Sequence, residues 1–318
     1  MPKVSVLIPS FNHAPFLNAC LDGVFGQTYG DLEVVLVDDG SKDQSVAIAR
    51  EYAAREPRLQ VHVNEHNLGT YGTQQRALEM SQGEFVAILN SDDLWAPTKL
   101  ESQVAALEAQ RDARFCYTLG WKVDENGRVD ESEDVHADWP RSTSHELLPW
   151  LLHENRVLAS SVLLRRDIVR FESSLRYSGD WVALLRPAEA APAALVPERL
   201  NFWRMHSHNT FVRSARQVLE EIRVREAILA TRWSRLPALE IRRGQGRNAL
   251  NLAALEILRG NRNPAIRHAL TALRLSPERR VPLRRLAAVL LPKSRERLWP
   301  GDTTSFDGVP PSQNPLAL

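Results

Sequence analysis

The stretch Phe85-Val86-Ala87-Ile88-Leu89-Asn90-Ser91-Asp92-Asp93 is an unbroken apolar run that stops on four polar residues, two of them adjacent carboxylates. Five apolar residues without alternation suit a strand buried on both faces, as strands of a parallel sheet are. Its carboxyl end then carries a hard-oxygen site suited to Mg2+ or Mn2+ bearing a diphosphate, because these ions keep few protein ligands and share substrate oxygens. An Asp pair ahead of Pro97 equally suits a helix start, where carboxylates cap orphan N–H groups. The upstream sequence decides between the two.

Val4-Ser5-Val6-Leu7-Ile8 is β-rich and halts at Pro9-Ser10-Phe11-Asn12, after which Phe16, Leu17, Cys20, Leu21 and Val24 recur at helical spacing. Leu32-Glu33-Val34-Val35-Leu36-Val37 reads as a second strand ending in Asp38-Asp39-Gly40-Ser41, and residues 45–54 as the next helix. Residues 59–63 form a third short strand, followed by the loop His66-Asn67-Leu68-Gly69 and a helix through Arg76, Ala77, Leu78 and Met80. Strands alternating with helices predict an α/β fold whose mostly parallel central sheet is covered on both faces. Ligands of such sheets sit beyond the carboxyl ends of the strands. Three of the four strand ends carry residues able to hold a nucleotide: Ser10 and Asn12, then Asp38 and Asp39, then Asp92 and Asp93. Asp38-Asp39-Gly40-Ser41 also reads as a turn with Asx and hydroxyl capping.

Past residue 115 the pattern loosens. Phe115-Cys116-Tyr117 and Ala159-Ser160-Ser161-Val162-Leu163-Leu164 are further strand candidates around a polar segment, 124–138, read as an exposed hairpin or loop. Helical patterns follow over 218–233, 248–258 and 264–275, broken by Pro237, Gly260 and Pro277. The expected organisation is an α/β domain over 1–214 with a boundary near Ser214, a helical C-terminal region over 215–299, and a disordered tail rich in Pro, Gly, Ser and Thr over 300–318.

The 318 residues are 43% hydrophobic, enough for a substantial core, and carry a net charge of +1. From Arg259 to Arg297 there are eleven Lys and Arg against two acidic residues, a surplus of nine, so the rest of the chain carries −8. Two cysteines, Cys20 and Cys116, are too few for a disulfide framework or a cysteine-rich metal site and suit a reducing, cytoplasmic setting. Met1-Pro2-Lys3 leads straight into a short strand without the apolar region of a signal peptide, and no apolar run approaches bilayer-spanning length. The stretch Pro282-Leu283-Arg284-Arg285-Leu286-Ala287-Ala288-Val289-Leu290-Leu291-Pro292-Lys293 combines an apolar stripe with flanking cations. It suits a helix lying on an anionic membrane surface, and equally one packed on the α/β domain with a solvated basic face. No aromatic-interleaved basic motif points to nucleic acid, which is not an expected partner.

The first hundred residues resemble a family-2 glycosyltransferase, a nucleotide-sugar-dependent enzyme built on the GT-A fold. Pro9, Ser10, Phe11 and Asn12 match the end of the opening strand that packs around the nucleotide base, and Asp39 matches the residue that holds the base. Asn67-Leu68-Gly69, Arg76 and Gly83-Glu84-Phe85 match the loop, helix and strand that lead to the acidic motif, here Asn90-Ser91-Asp92-Asp93. Asn90 stands where Asp is common, leaving Asp92 and Asp93 to share ribose and metal, with either one open as the ion's anchor. Tyr177-Ser178-Gly179-Asp180-Trp181 resembles the acceptor-side motif, with Asp180 at the catalytic base and Gly179 in place of the usual Glu. As alternatives to these roles, Asp180 also suits a helix N-cap, and Trp181 either an acceptor-sugar platform or core. In Phe202-Trp203-Arg204-Met205-His206 the resemblance implies that Arg204 lies near the leaving group and that His206 approaches the metal or diphosphate; a structural His beside Trp203 is the other reading.

The resemblance implies an inverting transfer of a sugar from a nucleoside diphosphate sugar to a hydroxyl of a glycan or lipid-linked acceptor, with Mg2+ or Mn2+, in polysaccharide or glycoconjugate assembly; the basic C-terminal stretch adds the expectation of a cytoplasmic protein peripheral on the inner face of the cell membrane. Two rivals carry different signatures. A nucleotidyltransferase requires a Gly-rich basic loop after the first strand, and Pro9-Ser10-Phe11-Asn12-His13 is neither. A catalytically silent nucleotide-sugar-binding module lacks a base, so Gly179-Asp180 discriminates.

Overall fold

In a computed structural model, which describes residues 1–132, 134–137, 139–207, 209, 215–230 and 238–275, the four apolar runs pair as neighbours. The strands β1 (Val4–Ser10), β2 (Leu32–Asp38), β3 (Leu59–Val63) and β4 (Phe85–Ile88) lie in the order β3-β2-β1-β4, all parallel. Every residue of β1 and β4 is buried, which is why neither run alternates. The crossovers are α1 (Ala14–Phe25), α2 (Ser45–Arg55) and α3 (Gly69–Met80). Leu17, Cys20, Leu21 and Val24 of α1 share one apolar cluster with Val6, Ile8, Val34 and Leu36 of the sheet. Burying each such Leu, Ile or Val contributes about 1.5–3 kcal/mol, so the cluster holds the strand ends in place.

Beyond β4 the sheet is mixed. The chain continues through β5 (Leu94–Trp95), α4 (Lys99–Ala109), β6 (Phe115–Val123), β7 (Ser144–His145), α5 (Leu148–His153), β8 (Val162–Arg165), α6 (Gly179–Ala190) and β9 (Ala193–Arg204). β8 runs antiparallel to β4 and β6, while β9 is parallel to β6 and antiparallel to β5 and β7. Pairing Leu94 with Phe202 draws the end of β9 to the acidic motif that follows β4.

Three expectations change. The strand candidate at 159–164 opens with a 3-10 turn over Ala159–Ser161, where the Ser161 N–H and hydroxyl both donate to the Leu158 carbonyl, at 2.9 and 2.7 Å; local hydroxyl bonding of this kind competes with a ladder. The polar segment at 124–138 is not uniformly exposed, because His136 is fully buried and its Nε2 accepts from the Gly120 N–H at 3.1 Å. The helix expected over 248–258 starts earlier, at Ala238: Gly244 and Gly246 blur its apolar pattern. Gly244 is demanded by the Leu152 carbonyl, which an added Cβ would meet at 2.9 Å.

The chain divides into two units, Met1–Leu148 with Arg156–His208, and Pro149–Asn155 with the chain from Asn209 onward. The second holds α7 (Ala215–Ala230), α8 (Ala238–Leu258) and α9 (Arg262–Leu275). Gly260, at φ +80°, ends α8 in the left-handed conformation that glycine adopts without strain. Among the described residues no helix is long and apolar enough to cross a membrane. Pro237, Pro277, the Ser214 boundary, the basic stretch 282–293 and the tail 300–318 lie outside the described residues.

Candidate active site

At the end of β1 the chain turns sharply. Asn12 adopts φ +54°, a left-handed conformation that asparagine tolerates better than most residues. Its N–H donates to Ser41 Oγ at 2.8 Å and its Oδ1 accepts from the Lys42 N–H at 2.8 Å, tying the loop after β1 to the loop after β2. Pro9 and Ser10 are buried and Phe11 is exposed. The Ser10 hydroxyl is buried without a hydrogen-bond partner among the described residues.

The two carboxylates after β2 divide their work. Asp38 builds the Asx turn, accepting from the Gly40 and Ser41 N–H groups at 3.1 and 2.8 Å and from the Ser41 hydroxyl at 2.6 Å. Asp39 caps α3 instead: Oδ1 accepts from the Leu68 N–H at 2.7 Å and Oδ2 from the Gly69 N–H at 2.9 Å. Asn64 Nδ2 adds a further donor to Oδ1 at 2.7 Å, and Asn64 Oδ1 accepts from Arg76 at 2.6 Å. Asn67 donates to the Asp39 carbonyl at 3.3 Å. Asp39, Asn67 and Arg76 therefore meet in one network, with Asn64, which sequence reading missed, at its centre.

After β4 the adjacent Asp92 and Asp93 face different surroundings. Asp93 is 2% exposed; its Oδ2 accepts from Ser160 at 2.5 Å and its Oδ1 from the Arg204 N–H at 3.0 Å. Burial, and then the charge of Asp92, hold its carboxyl well above the usual carboxylate range; the Asn90 side chain, by hydrogen bonding to it, works the other way. An Asp at position 90 would place a third carboxylate beside this buried one. Asp92 turns toward two imidazoles, with Oδ2 3.1 Å from His206 Nε2 and 3.9 Å from His13 Nε2. Burial opposes its charge, yet the His206 hydrogen bond and the charges of both histidines hold its pKa below the ordinary value.

His13, Asp92 and His206 offer ligand atoms that all lie within 4.8 Å of one another, a set able to hold a metal ion. His13 Nδ1 meets Ser91 Oγ at 2.7 Å, which orients the ring so that Nε2 faces Asp92. Metal-bound imidazoles commonly have their other nitrogen fixed in this way. His206 stacks on Phe16 of α1 with ring centroids 4.5 Å apart. The structure brings together Asp92 and His206 of the sequence-expected ligands; it turns Asp93 away to Ser160 and Arg204. It adds His13, whose place directly after Asn12 in the first loop was the one available signal. Arg204 is buried, with Nε donating to the Asp92 carbonyl at 2.7 Å and a terminal nitrogen to the Glu125 carbonyl at 2.6 Å, so its guanidinium braces this loop.

On the acceptor side, Ser178 occupies the N-cap position of α6 and Asp180 lies in its first turn, half-buried, accepting from the Tyr71 hydroxyl at 3.2 Å. Asp180 is thus not the N-cap. Trp181 is 3% exposed and offers no face for stacking a sugar.

Comparison with known proteins assigns the fold and the family. A profile described as Glycosyl transferase family 2 matches residues 5–170. The putative teichuronic acid biosynthesis glycosyltransferase TuaG of Bacillus subtilis is 32% identical over 145 residues, which is 46% of this chain and 56% of TuaG. The chain spans 59% of the length of the mycobacterial relatives that it matches at 30% identity. In solved structures, S. aureus TarS 1-349 in complex with UDP-GlcNAc superposes with a TM-score of 0.66 at 19% identity, over 93% of this chain and 86% of that one. The mannosyltransferase PcManGT from Pyrobaculum calidifontis, in complex with GDP-Man and Mn2+, gives 0.61 at 16% identity, over 94% and 81%. These likenesses identify the fold as that of the GT-A glycosyltransferases, and with more than half of the chain matched by the profile, this protein belongs to glycosyl transferase family 2.

Proposed function

We propose that this chain is an inverting glycosyltransferase that moves a sugar from a nucleoside diphosphate sugar to a hydroxyl acceptor, with Asp180 as general base. The observation that carries the reading is the gathering, at the carboxyl ends of β1, β2 and β4, of the Ser10 to Asn12 loop, the Asp39 network and the His13, Asp92, His206 set. TarS and PcManGT, which share the fold, are described with UDP-GlcNAc and with GDP-Man and Mn2+. In this reading the buried Ser10 hydroxyl, Phe11, Asn12, Asp39, Asn67 and Arg76 receive the nucleoside. Asn90, Ser91 and Asp92 lie toward the ribose and diphosphate.

The acceptor hydroxyl gives its proton to the Asp180 carboxylate as its oxygen attacks the anomeric carbon. The bond from that carbon to the diphosphate oxygen breaks on the opposite face, and the nucleoside diphosphate leaves with the electron pair, inverting the centre. His13, Asp92 and His206 are the residues that would hold a divalent ion; when bound, it supplies charge neutralisation for the leaving diphosphate. Two imidazoles beside one carboxylate favour Mn2+ over Mg2+, because nitrogen ligands suit transition ions. Asp93, buried and hydrogen-bonded by Ser160, supports the loop from behind. The acceptor is a glycan or a lipid-linked glycan, and the surplus of cations after Arg259 supports work at an anionic membrane surface on the cytoplasmic side.

The test is a panel of nucleotide sugars with Mn2+ or Mg2+, reading nucleoside diphosphate release and product stereochemistry. Asp180→Asn is expected to lower transfer by about 100-fold or more while donor binding persists, the scale of a lost general base. Full activity in that variant, or a product of retained configuration, overturns the reading.

A further inference from the structure

Tyr71 and Gly179 make a contact that sugar transfer by itself does not require. Tyr71 lies in the first turn of α3 and is 6% exposed; Gly179 opens α6, one residue before Asp180. A Cβ added at position 179 would lie 2.5 Å from Cγ and from Cδ2 of Tyr71 and 2.7 Å from Cδ1. These are neighbouring atoms of one ring, so the ring lies directly against the Gly179 backbone. No side chain fits there unless the ring moves.

The backbone itself does not demand glycine, since Gly179 is not among the residues with positive φ. What its use permits is the close seat of the Tyr71 ring, and the far end of that ring carries the hydroxyl that donates to Asp180 Oδ1 at 3.2 Å. The N–H groups of a helix's first turn have no partners within the helix and compete for a carboxylate placed there, and the Ser178 side chain makes no capping bond. A donor from another helix, on a rigid side chain with two torsions, selects one orientation of the carboxylate against that competition.

We propose that Tyr71 is a positioning residue for Asp180, seated by Gly179, which holds the carboxylate in the orientation that receives the acceptor's proton. The proposal rests on the base role given to Asp180 above. Tyr71→Phe keeps the ring over Gly179 and removes only the hydroxyl. With UDP-GlcNAc and GDP-mannose as donors and water as acceptor, kcat for nucleoside diphosphate release is expected to fall about tenfold, the scale of one hydrogen bond to a charged group. Donor KM and melting temperature stay unchanged.

In an Asp180→Asn background the same substitution adds no further loss, because Tyr71 acts through the carboxylate. Gly179→Ala, which displaces the ring, lowers kcat by a similar factor. Crystal structures of the wild type and Tyr71→Phe supply a readout independent of turnover: the Asp180 carboxylate swings toward the first-turn amides of α6 in the variant. Wild-type kcat in Tyr71→Phe with an inactive Asp180→Asn, equal losses in both backgrounds, or an unmoved carboxylate each overturn the positioning role and leave the base reading standing. A fully active Asp180→Asn removes the base reading itself.

Discussion

At the scale of single residues, identity and role separate most clearly in the pair Asp92 and Asp93. They are chemically alike and adjacent, yet one meets two imidazoles and the other a serine hydroxyl and a backbone amide. The motif was legible in the sequence; the division was not, because it depends on which way each carboxylate leaves a tight turn and on Ser160 and His13, far away in the chain. Ser91→Ala, which removes only the hydroxyl that orients His13, is expected to weaken Mn2+ binding by about 10-fold, read as free Mn2+ by electron paramagnetic resonance, with the melting temperature little changed. His13→Ala, which removes a ligand atom itself, is expected to weaken it more. Unaltered affinity in His13→Ala removes that residue from the ion site. Asp39 teaches a related lesson: the resemblance implies a base-binding carboxylate, and the same carboxylate already accepts from Leu68, Gly69 and Asn64. A nucleoside arriving there competes with, or adds to, bonds that hold the start of α3.

At the scale of elements, hydrophobic runs were a sound guide where both faces of a strand are buried, as in β1, β2 and β4, and a poor one where polar side chains are buried. Helix α4 is the sharpest case. Lys99 is fully buried, its Nζ donating to Gln103 at 2.7 Å and lying 3.9 Å from the centre of the Trp95 ring. Burial pushes its pKa down to about 7. In the unfolded chain the amine titrates near its ordinary 10.5, so between those values the unfolded state holds the extra proton. Stability therefore rises as pH climbs through that window and is lowest below it. The buried Cys116 thiol, raised to about 12, opposes this trend above its ordinary 9.0. The measurement belongs between about pH 7 and 8.5, where the Lys99 contribution is on the order of 1–2 kcal/mol; the buried Asp93 carboxyl, raised to about 8, works the other way in both proteins and cancels in their comparison. Denaturant unfolding of Lys99→Met against wild type is expected to show that this rise has gone. Identical slopes in the two proteins contradict a neutral buried amine.

At the scale of the whole molecule, charge is distributed unevenly: the run from Arg259 to Arg297 holds a surplus of nine positive charges in a chain of net +1. Each basic group near an anionic surface contributes about 1 kcal/mol, falling off within a Debye length. The full chain is expected to co-sediment with vesicles containing phosphatidylserine at low salt and to release at about 0.5 M salt, while neutral vesicles leave it in solution. Truncation after residue 258 is expected to abolish this binding. Equal binding to neutral and anionic vesicles contradicts the electrostatic reading.

The amino-acid sequence by itself determined the α/β class, the succession along the chain of the first four strands and the helices between them, and the rim on which the polar residues gather. Those follow from local periodicity and from the rule that parallel strands present their carboxyl ends together. Only the tertiary structure decided that β8 and β9 join the sheet beyond β4, that His13 joins Asp92 and His206, and that Tyr71 reaches Asp180 over a glycine. Each of these is a contact between segments whose own sequences carry no mark of the other. The free energy that selects them lies in packing and hydrogen bonds between elements.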